Sequence, residues 1–348
     1  MKNFLFSNGY AITFDPLGAK RFLILLAFLL VPSFAIAQDN DKSQSEGTLL
    51  IVPRIDVNPY FEQNDRSWGF DFGATSLYTV FDGNLGDWFS FSFSNHWFAF
   101  QNSFDNTKAL YRNTWRADES NWVDWANVSF HLGNFALTLG KDYIHFGTFE
   151  IDAYDFDAHG QLNSMFWFNY QVYQWGGSLS WTSSDDNTTL MLQMTSDQTM
   201  EKPFGSKKLG DYAYNLFGSH STDEVTVMGS ISHCSVGWLG AFGVQVALSD
   251  ALTLTGDAYI SKDYFATTAK LDAELNDHFG LFVKGGFDTG ENEWILEGSG
   301  IVCGLGFHWY PLCNNKDLRV HALYSYDSVY NEMVMSAGIT YALNLKLF

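Results

Sequence analysis

Residues 132–163, LGNFALTLGKDYIHFGTFEIDAYDFDAHGQLN, decide how the rest of the chain is read. The stretch opens on Gly133-Asn134, a dipeptide suited to a tight hairpin turn. A short strand follows, in which Leu137 and Leu139 alternate with Ala136, Thr138 and Gly140. It then becomes a long segment carrying Glu150, Asp152, Asp155 and Asp157 among Phe146, Phe149, Tyr154 and Phe156. A period-two strand has two faces, and here one is oily and the other polar. A tight turn on one side and a long loop on the other make a unit to look for elsewhere.

Composition supports strands with two solvents. The chain has 348 residues, 39 Asp+Glu, 19 Lys+Arg and a formal net charge of −20. Aromatics reach 18%, with 32 Phe and 12 Trp, yet the mean hydropathy is only −0.10. Aromatics spread through so polar a sequence suit a barrel with a lipid side and a water side. The 30 Gly and 6 Pro suit many strands joined by tight turns.

The N-terminus carries an export signal over residues 1–37. Lys20-Arg21 precede the apolar run 22–31, and Ala35-Ile36-Ala37 supplies a small-x-small cleavage site before Gln38. The run is too short for a spanning helix, and no Cys follows the site, which argues against a lipoprotein. Residues 1–19 make a long leading region for such a signal. Removing residues 1–37 takes away Lys2, Lys20, Arg21 and Asp15, a net +2, and leaves −22. No later apolar run reaches about 18 residues, so no helical span is expected. Cys234, Cys303 and Cys313 have no motif spacing and read as structural bystanders.

Residues 38–47 form a polar leader, and period two then dominates over 48–348. Sixteen strands are expected, at 49–61, 68–81, 88–98, 121–132, 135–141, 164–183, 188–195, 212–218, 225–235, 241–248, 252–261, 265–275, 279–287, 301–310, 318–327 and 333–348; 14 or 18 also fit. In the second, Trp68, Phe70, Phe72, Ala74, Tyr78 and Val80 should face lipid, and Asp71, Thr75 and Thr79 should face inward. The third sets Phe89, Phe91 and Phe93 against Ser90, Ser92, Ser94 and His96. A lipid face against a wet lumen explains so strict a Phe/Ser alternation.

The connections sort into two classes. After even-numbered strands they are short: DGNLGD, GN, SDDN, STDE, SD, ND and CNNK. After odd-numbered strands they vary, and the long ones fall here, near residues 101–119, 142–163, 196–211 and 288–298. A membrane barrel with both termini on one side requires this sorting, and a soluble sandwich does not. The fold expected is an all-β transmembrane antiparallel up-and-down barrel. An even strand count lets the last strand pair with the first and removes both edges.

Export signal, alternating segments and terminal Phe348 together make the mature chain resemble a bacterial outer-membrane porin. The resemblance implies that Phe348 belongs to the signal read by the barrel-assembly machinery. The apolar residues Ile339, Tyr341, Leu343, Leu345 and Leu347 run one step out of phase with it. A second echo lies in residues 140–150, where Gly140-Lys141, Phe146-Gly147 and Glu150 are similar to the strand-to-third-loop passage of the phosphate-selective porin O/P family. That family's specificity does not carry over, because its pores recruit anions with clustered Arg and Lys. After signal removal this chain keeps 16 basic residues against 38 acidic ones. A field of that sign repels phosphate and favours cations or neutral solutes.

Candidate functional residues follow from that reading. Glu150, Asp152, Asp155 and Asp157 could form the acidic side of a pore constriction, or simply a solvated external loop. By parity, Asp71, Lys141, Asp257, Lys270, Asp272, Glu274, Lys284, Arg319 and His321 are assigned to the lumen. Trp167, Tyr170, Tyr173 and Trp175 read as an interfacial aromatic girdle, with a sugar-stacking track as the alternative. His145 and His159 lie near carboxylates, but no spacing matches a metal motif. His96, His233, His308 and His321 form no evident Ser-His-acid grouping. The charge sign opposes nucleic acid.

The function expected is a passive diffusion channel in the bacterial outer membrane for small hydrophilic solutes, mildly cation-preferring, with no cofactor and no enzymatic activity. Its partners would be outer-membrane lipids, the barrel-assembly machinery and small solutes; porins of this size often assemble as homotrimers. The alternatives are a substrate-specific channel, for instance for sugars, and a closed-lumen barrel with an enzymatic or structural role.

Overall fold

The computed structural model describes residues 45–62, 67–71, 75–99, 123–152, 162–198, 212–292, 295–312, 315–329 and 332–348. Eighteen strand segments form one antiparallel sheet: β1 (Glu46–Glu62), β2 (Ser67–Asp71), β3 (Ser76–Asn84), β4 (Phe89–Ala99), β5 (Val123–Leu132), β6 (Phe135–Tyr143), β7 (Tyr173–Thr182), β8 (Thr188–Thr195), β9 (Ala213–Ser221), β10 (Val225–Cys234), β11 (Gly237–Ser249), β12 (Leu252–Ser261), β13 (Tyr264–Asn276), β14 (Phe279–Asn292), β15 (Leu296–Trp309), β16 (Leu318–Asp327), β17 (Glu332–Tyr341) and β18 (Leu343–Lys346). Both β2 and β3 pair with β1, and so do both β17 and β18. Each couple is one broken stave, so the sheet has sixteen staves and closes on itself. At the seam Leu347 N donates to Gly47 O at 2.8 Å, and Gly47 N donates to Phe348 O at 3.2 Å. Pairing the first stave with the last removes the two free edges the sheet would otherwise have there.

The two faces of the wall differ as the alternation requires. On β12, Leu252, Leu254 and Ile260 are exposed outward, while Thr255, Asp257 and Tyr259 are buried inside. On β14, Leu281 and Val283 point out and Phe282 and Lys284 point in. Exposed Leu, Ile, Phe and Trp recur on strand after strand, far beyond the patches a water-soluble monomer tolerates. Such a surface is a lipid-facing surface.

Turn chemistry follows the two rims. Gly133 closes the β5–β6 hairpin at φ +56, the positive first position that two-residue hairpin loops need. On this rim the turns are short, whereas on the other β6 ends at Tyr143 and β7 begins only at Tyr173.

Three expectations change. Residues 164–172 are not strand: they include the short helix α2 (Met165–Asn169), preceded by α1 (Phe149–Asp152). Residues 288–298 are mostly a continuation of the β14–β15 hairpin rather than a loop, with Asp288 opposite Gly300 and Asn292 opposite Leu296. In the second stave the inward and outward sets exchange partway. Asp71 lies opposite Asn58 and Ser76 opposite Arg54, so this chain advances five residues while β1 advances four. One extra residue inverts every side chain beyond it. Tyr78 and Val80 therefore pack inward with Val52, and Thr79 falls on the opposite face. Phe70, before the break, is exposed as expected.

Candidate functional site

After Tyr143 the chain leaves the wall and folds into the barrel. A loop segment inside a sheet loses its ladder partners, and each buried N–H and C=O then needs another. The inner wall supplies them in succession. His145 N donates to Gln193 of β8, Asn215 of β9 donates to His145 O, and Ser230 of β10 donates to Phe146 O. Phe149 N, the first residue of α1, donates to Asp257 of β12 at 2.7 Å. Met165 N and Phe166 N, at the start of α2, donate to Asp288 of β14 and to the Tyr264 hydroxyl of β13. Leu162 packs with Phe282 and Val302. The loop thus follows the inner wall from β8 to β15.

Close approach depends on glycines facing glycines. Gly147 has φ +74, and a Cβ there would lie 2.5 Å from the backbone of Gly229. A Cβ on Gly243 would come within 2.8 Å of the Asp257 carboxylate and 3.0 Å of the Phe149 ring. Only a residue without a side chain lets the two backbones meet.

Between loop and wall lies a dry aromatic cluster. Phe146 is edge-on to Phe166 and Tyr170, whose rings stack at 5.0 Å, and Phe166 meets Tyr259 at 4.9 Å. Trp167, Tyr170 and Tyr173 are buried in this cluster, so they are not an interfacial girdle. Trp175 alone of that group is exposed on the wall. The sequence pattern missed this because an aromatic-rich segment next to a strand reads equally as strand.

The two described loop acids, Glu150 and Asp152, are committed to internal bonds. Glu150 is buried; it accepts from Lys284 Nζ at 2.7 Å, from Ser164 N at 3.0 Å and from Ser164 Oγ at 2.7 Å. Asp152 accepts from Gly147 N at 2.6 Å and Thr148 N at 3.1 Å, and pairs with His145 Nδ1 at 2.8 Å. Burial alone would lower the His145 pKa, but the Asp152 carboxylate and its hydrogen bond raise it above the ordinary value. Asp155, Asp157 and His159 lie outside the described residues.

The wall residues assigned by parity divide. Asp257 and Lys284 are inward and hold the loop. Lys270 pairs with Asp272 at 2.9 Å beside the Phe282 ring. Glu274 meets Lys316 at 2.6 Å on the short-turn rim, well exposed. Arg319 and His321 share the inner face of β16; His321 Nε2 meets Asp56 at 2.8 Å. The two side chains reach each other across Gly338, where a Cβ would lie 2.0 Å from the carboxylate. Arg54 completes this cluster on Asp56 at 2.5 Å. Lys141 does not fit its assignment: by count it shares the strand face of Leu137 and Leu139, and its Nζ donates to Val123 O at 2.5 Å. Only the backbone of Asp71 is described, opposite Asn58, whose side chain is buried.

Sequence reasoning missed Asp56, Arg54, Tyr259, Tyr264 and Asp288 as site residues. Parity counted outward from Lys284 through Gly286 would have placed Asp288 inside. His233 packs on Trp238, and His308 lies near the Tyr310 hydroxyl. The second ring nitrogen of His321 is buried with no hydrogen-bond partner among the described residues. No metal-binding cluster occurs among the described residues. Cys234 is buried and Cys303 exposed, both as thiols, while Cys313 lies outside the described residues.

No protein-family model matches the chain, and no curated protein matches it. Solved structures do. The outer membrane channel DcaP of Acinetobacter baumannii is 12% identical with a TM-score of 0.57, covering 88% of this chain and 99% of that one. An anion-selective porin from Comamonas acidovorans is 12% identical with a TM-score of 0.61, covering 86% and 100%. A porin mutant of Rh. blastica is 12% identical with a TM-score of 0.52, covering 87% and 100%. These likenesses speak for fold, and the resemblance to the phosphate-selective porin O/P family is not shown by them. The chain folds as a sixteen-stranded transmembrane β-barrel of the kind found in bacterial outer-membrane porins.

Proposed function

We propose that this chain is a passive channel of the bacterial outer membrane for small hydrophilic solutes, mildly cation-preferring, and not an enzyme. One observation carries the reading: a closed wall, apolar outside and polar inside, with a loop folded within it. The similar structures include one described as an outer membrane channel and one as an anion-selective porin. The sign of selectivity is argued from this chain's own charge. With −22 on the mature protein, the mean potential attracts cations. In this reading the signal is cleaved after Ala37, Phe348 is read by the barrel-assembly machinery, the outer face meets lipid, and the barrel joins a homotrimer.

Glu150 and Asp152 act as loop anchors here, which leaves Asp155 and Asp157 as the constriction acids. Purified folded protein in a planar bilayer tests both statements. Stepwise ion currents are expected, with a reversal potential under a salt gradient on the cation side. Protein that never conducts would end the channel reading. Changing Asp155 and Asp157 to Asn should move the reversal potential toward anions; an unmoved potential removes them from the constriction. The dry aromatic cluster favours a second reading, a closed-lumen structural barrel, which silent bilayers would support.

A further inference from the structure

Lys284 stands on the inner face of β14, opposite Lys270 of β13 and Gly304 of β15. Its side chain is almost fully buried. Nζ donates to Glu150 Oε1 at 2.7 Å and to Asn163 Oδ1 at 2.6 Å. These acceptors lie on the two limbs of the inward loop, one before and one after residues 153–161. Glu150 in turn takes the N–H and hydroxyl of Ser164, so both limbs meet at one ammonium.

The charge count around it is lopsided. Asp257 is within electrostatic reach of both Glu150 and Lys284, and Asp288 is within reach of Glu150. Both aspartates hold helix-starting N–H groups of the loop. Of these three buried carboxylates, Glu150 touches the ammonium and Asp257 feels it through space. Tyr259 and Tyr264 reach them with hydroxyls, and Asp327 of β16 adds negative charge behind Asp288. His145 and Asp152 are the other titratable pair of the loop.

We infer that Lys284 is a positioning residue for conduction: its ammonium fastens both limbs of the inward loop to the wall and so sets the cross-section open to solutes. The inference rests on the channel reading. Its mechanism is charge balance. Without the ammonium, the buried Glu150 carboxylate loses its cationic partner, and it relaxes by moving the loop off the wall toward water.

Single-channel recording tests this with Lys284→Met, Glu150→Gln and the double variant. Lys284→Met should raise unit conductance and open-channel noise at neutral pH. Acidification should return it toward wild-type behaviour, because protonation removes the stranded negative charge. The double variant should lie closer to wild type than Lys284→Met, which a loss of packing alone would not produce. A Lys284→Met channel indistinguishable from a conducting wild type overturns the inference and leaves the channel reading intact. A double variant as disturbed as Lys284→Met, with no response to acid, also overturns it. A silent wild type ends both. Where Lys284→Met yields no folded barrel by heat-modified gel mobility, Glu150→Gln reads the same contact from the loop. It should raise the noise, and noise equal to wild type overturns the inference.

Discussion

The strand β13 and the loop over residues 144–152 and 162–172 draw on similar residues, aromatic, aliphatic and acidic, but obey different rules. In β13 sequence neighbours part company: Phe265, Leu271 and Leu275 go out, and Tyr264, Ala266 and Thr268 go in. In the loop, Phe146, Glu150, Ile151 and everything from Leu162 to Phe168 is buried regardless of period. The wall is held by ladder hydrogen bonds that any residue but proline can make, so side chains are free to sort by solvent. The loop has no ladder. It is held by named acceptors and donors on the wall, and each costs stability if left unmet. The outer face is specified by a pattern, the inner docking by individual groups.

That contrast can be broken most sharply at β14, where Val283 and Lys284 are adjacent. Lys284→Met should cost about 3–5 kcal/mol, the usual penalty for orphaning a buried ion-pair partner. Denaturant unfolding of the refolded barrel measures it, and a loss below about 1 kcal/mol would mean the pair is solvated. On the lipid side, Val283→Arg should cost about 2–4 kcal/mol through charge in hydrocarbon, whereas Val283→Leu should be close to neutral. Equal tolerance of both would place this face in water.

Gly147→Ala comes next, at roughly 1–3 kcal/mol for a side chain forced into positive φ, together with the clash against Gly229. Limited proteolysis should then cut the loop while the wall stays protected. The smallest effect belongs to His145→Gln, on the order of 1 kcal/mol. Because the folded pKa of His145 is raised, its ion pair with Asp152 contributes fully below the unfolded pKa of about 6.5. That contribution fades as pH rises through the folded value. Wild type and variant should therefore differ most in mildly acid solution and converge in alkaline solution. A gap that widens with pH would contradict the pairing.

The barrel was legible in the sequence because two-solvent alternation recurs in stave after stave. β12 and β16 run over 252–261 and 318–327, as the sequence reading has them. Where reading failed, a local event interrupted the period. The extra residue after Asp71 inverted Tyr78 and Val80, and no composition cue marks such a shift. The run beside β7 was rich in aromatics for packing inside the lumen, and the same residues would suit a membrane girdle. Acidity in the loop was plain, but its use was not: a carboxylate that lines a pore and one that caps an N–H look alike in one dimension.

The chain's sequence by itself determined an even-stranded barrel with oil outside, short turns on one rim and long loops on the other, since these depend on neighbours two residues apart and on connection lengths. Only the tertiary structure decided that Glu150 meets Lys284, 134 residues later, and that Asp56 meets His321, 265 residues later. Those contacts depend on strand register and on where a ladderless loop finds donors, and both are settled only when the barrel closes.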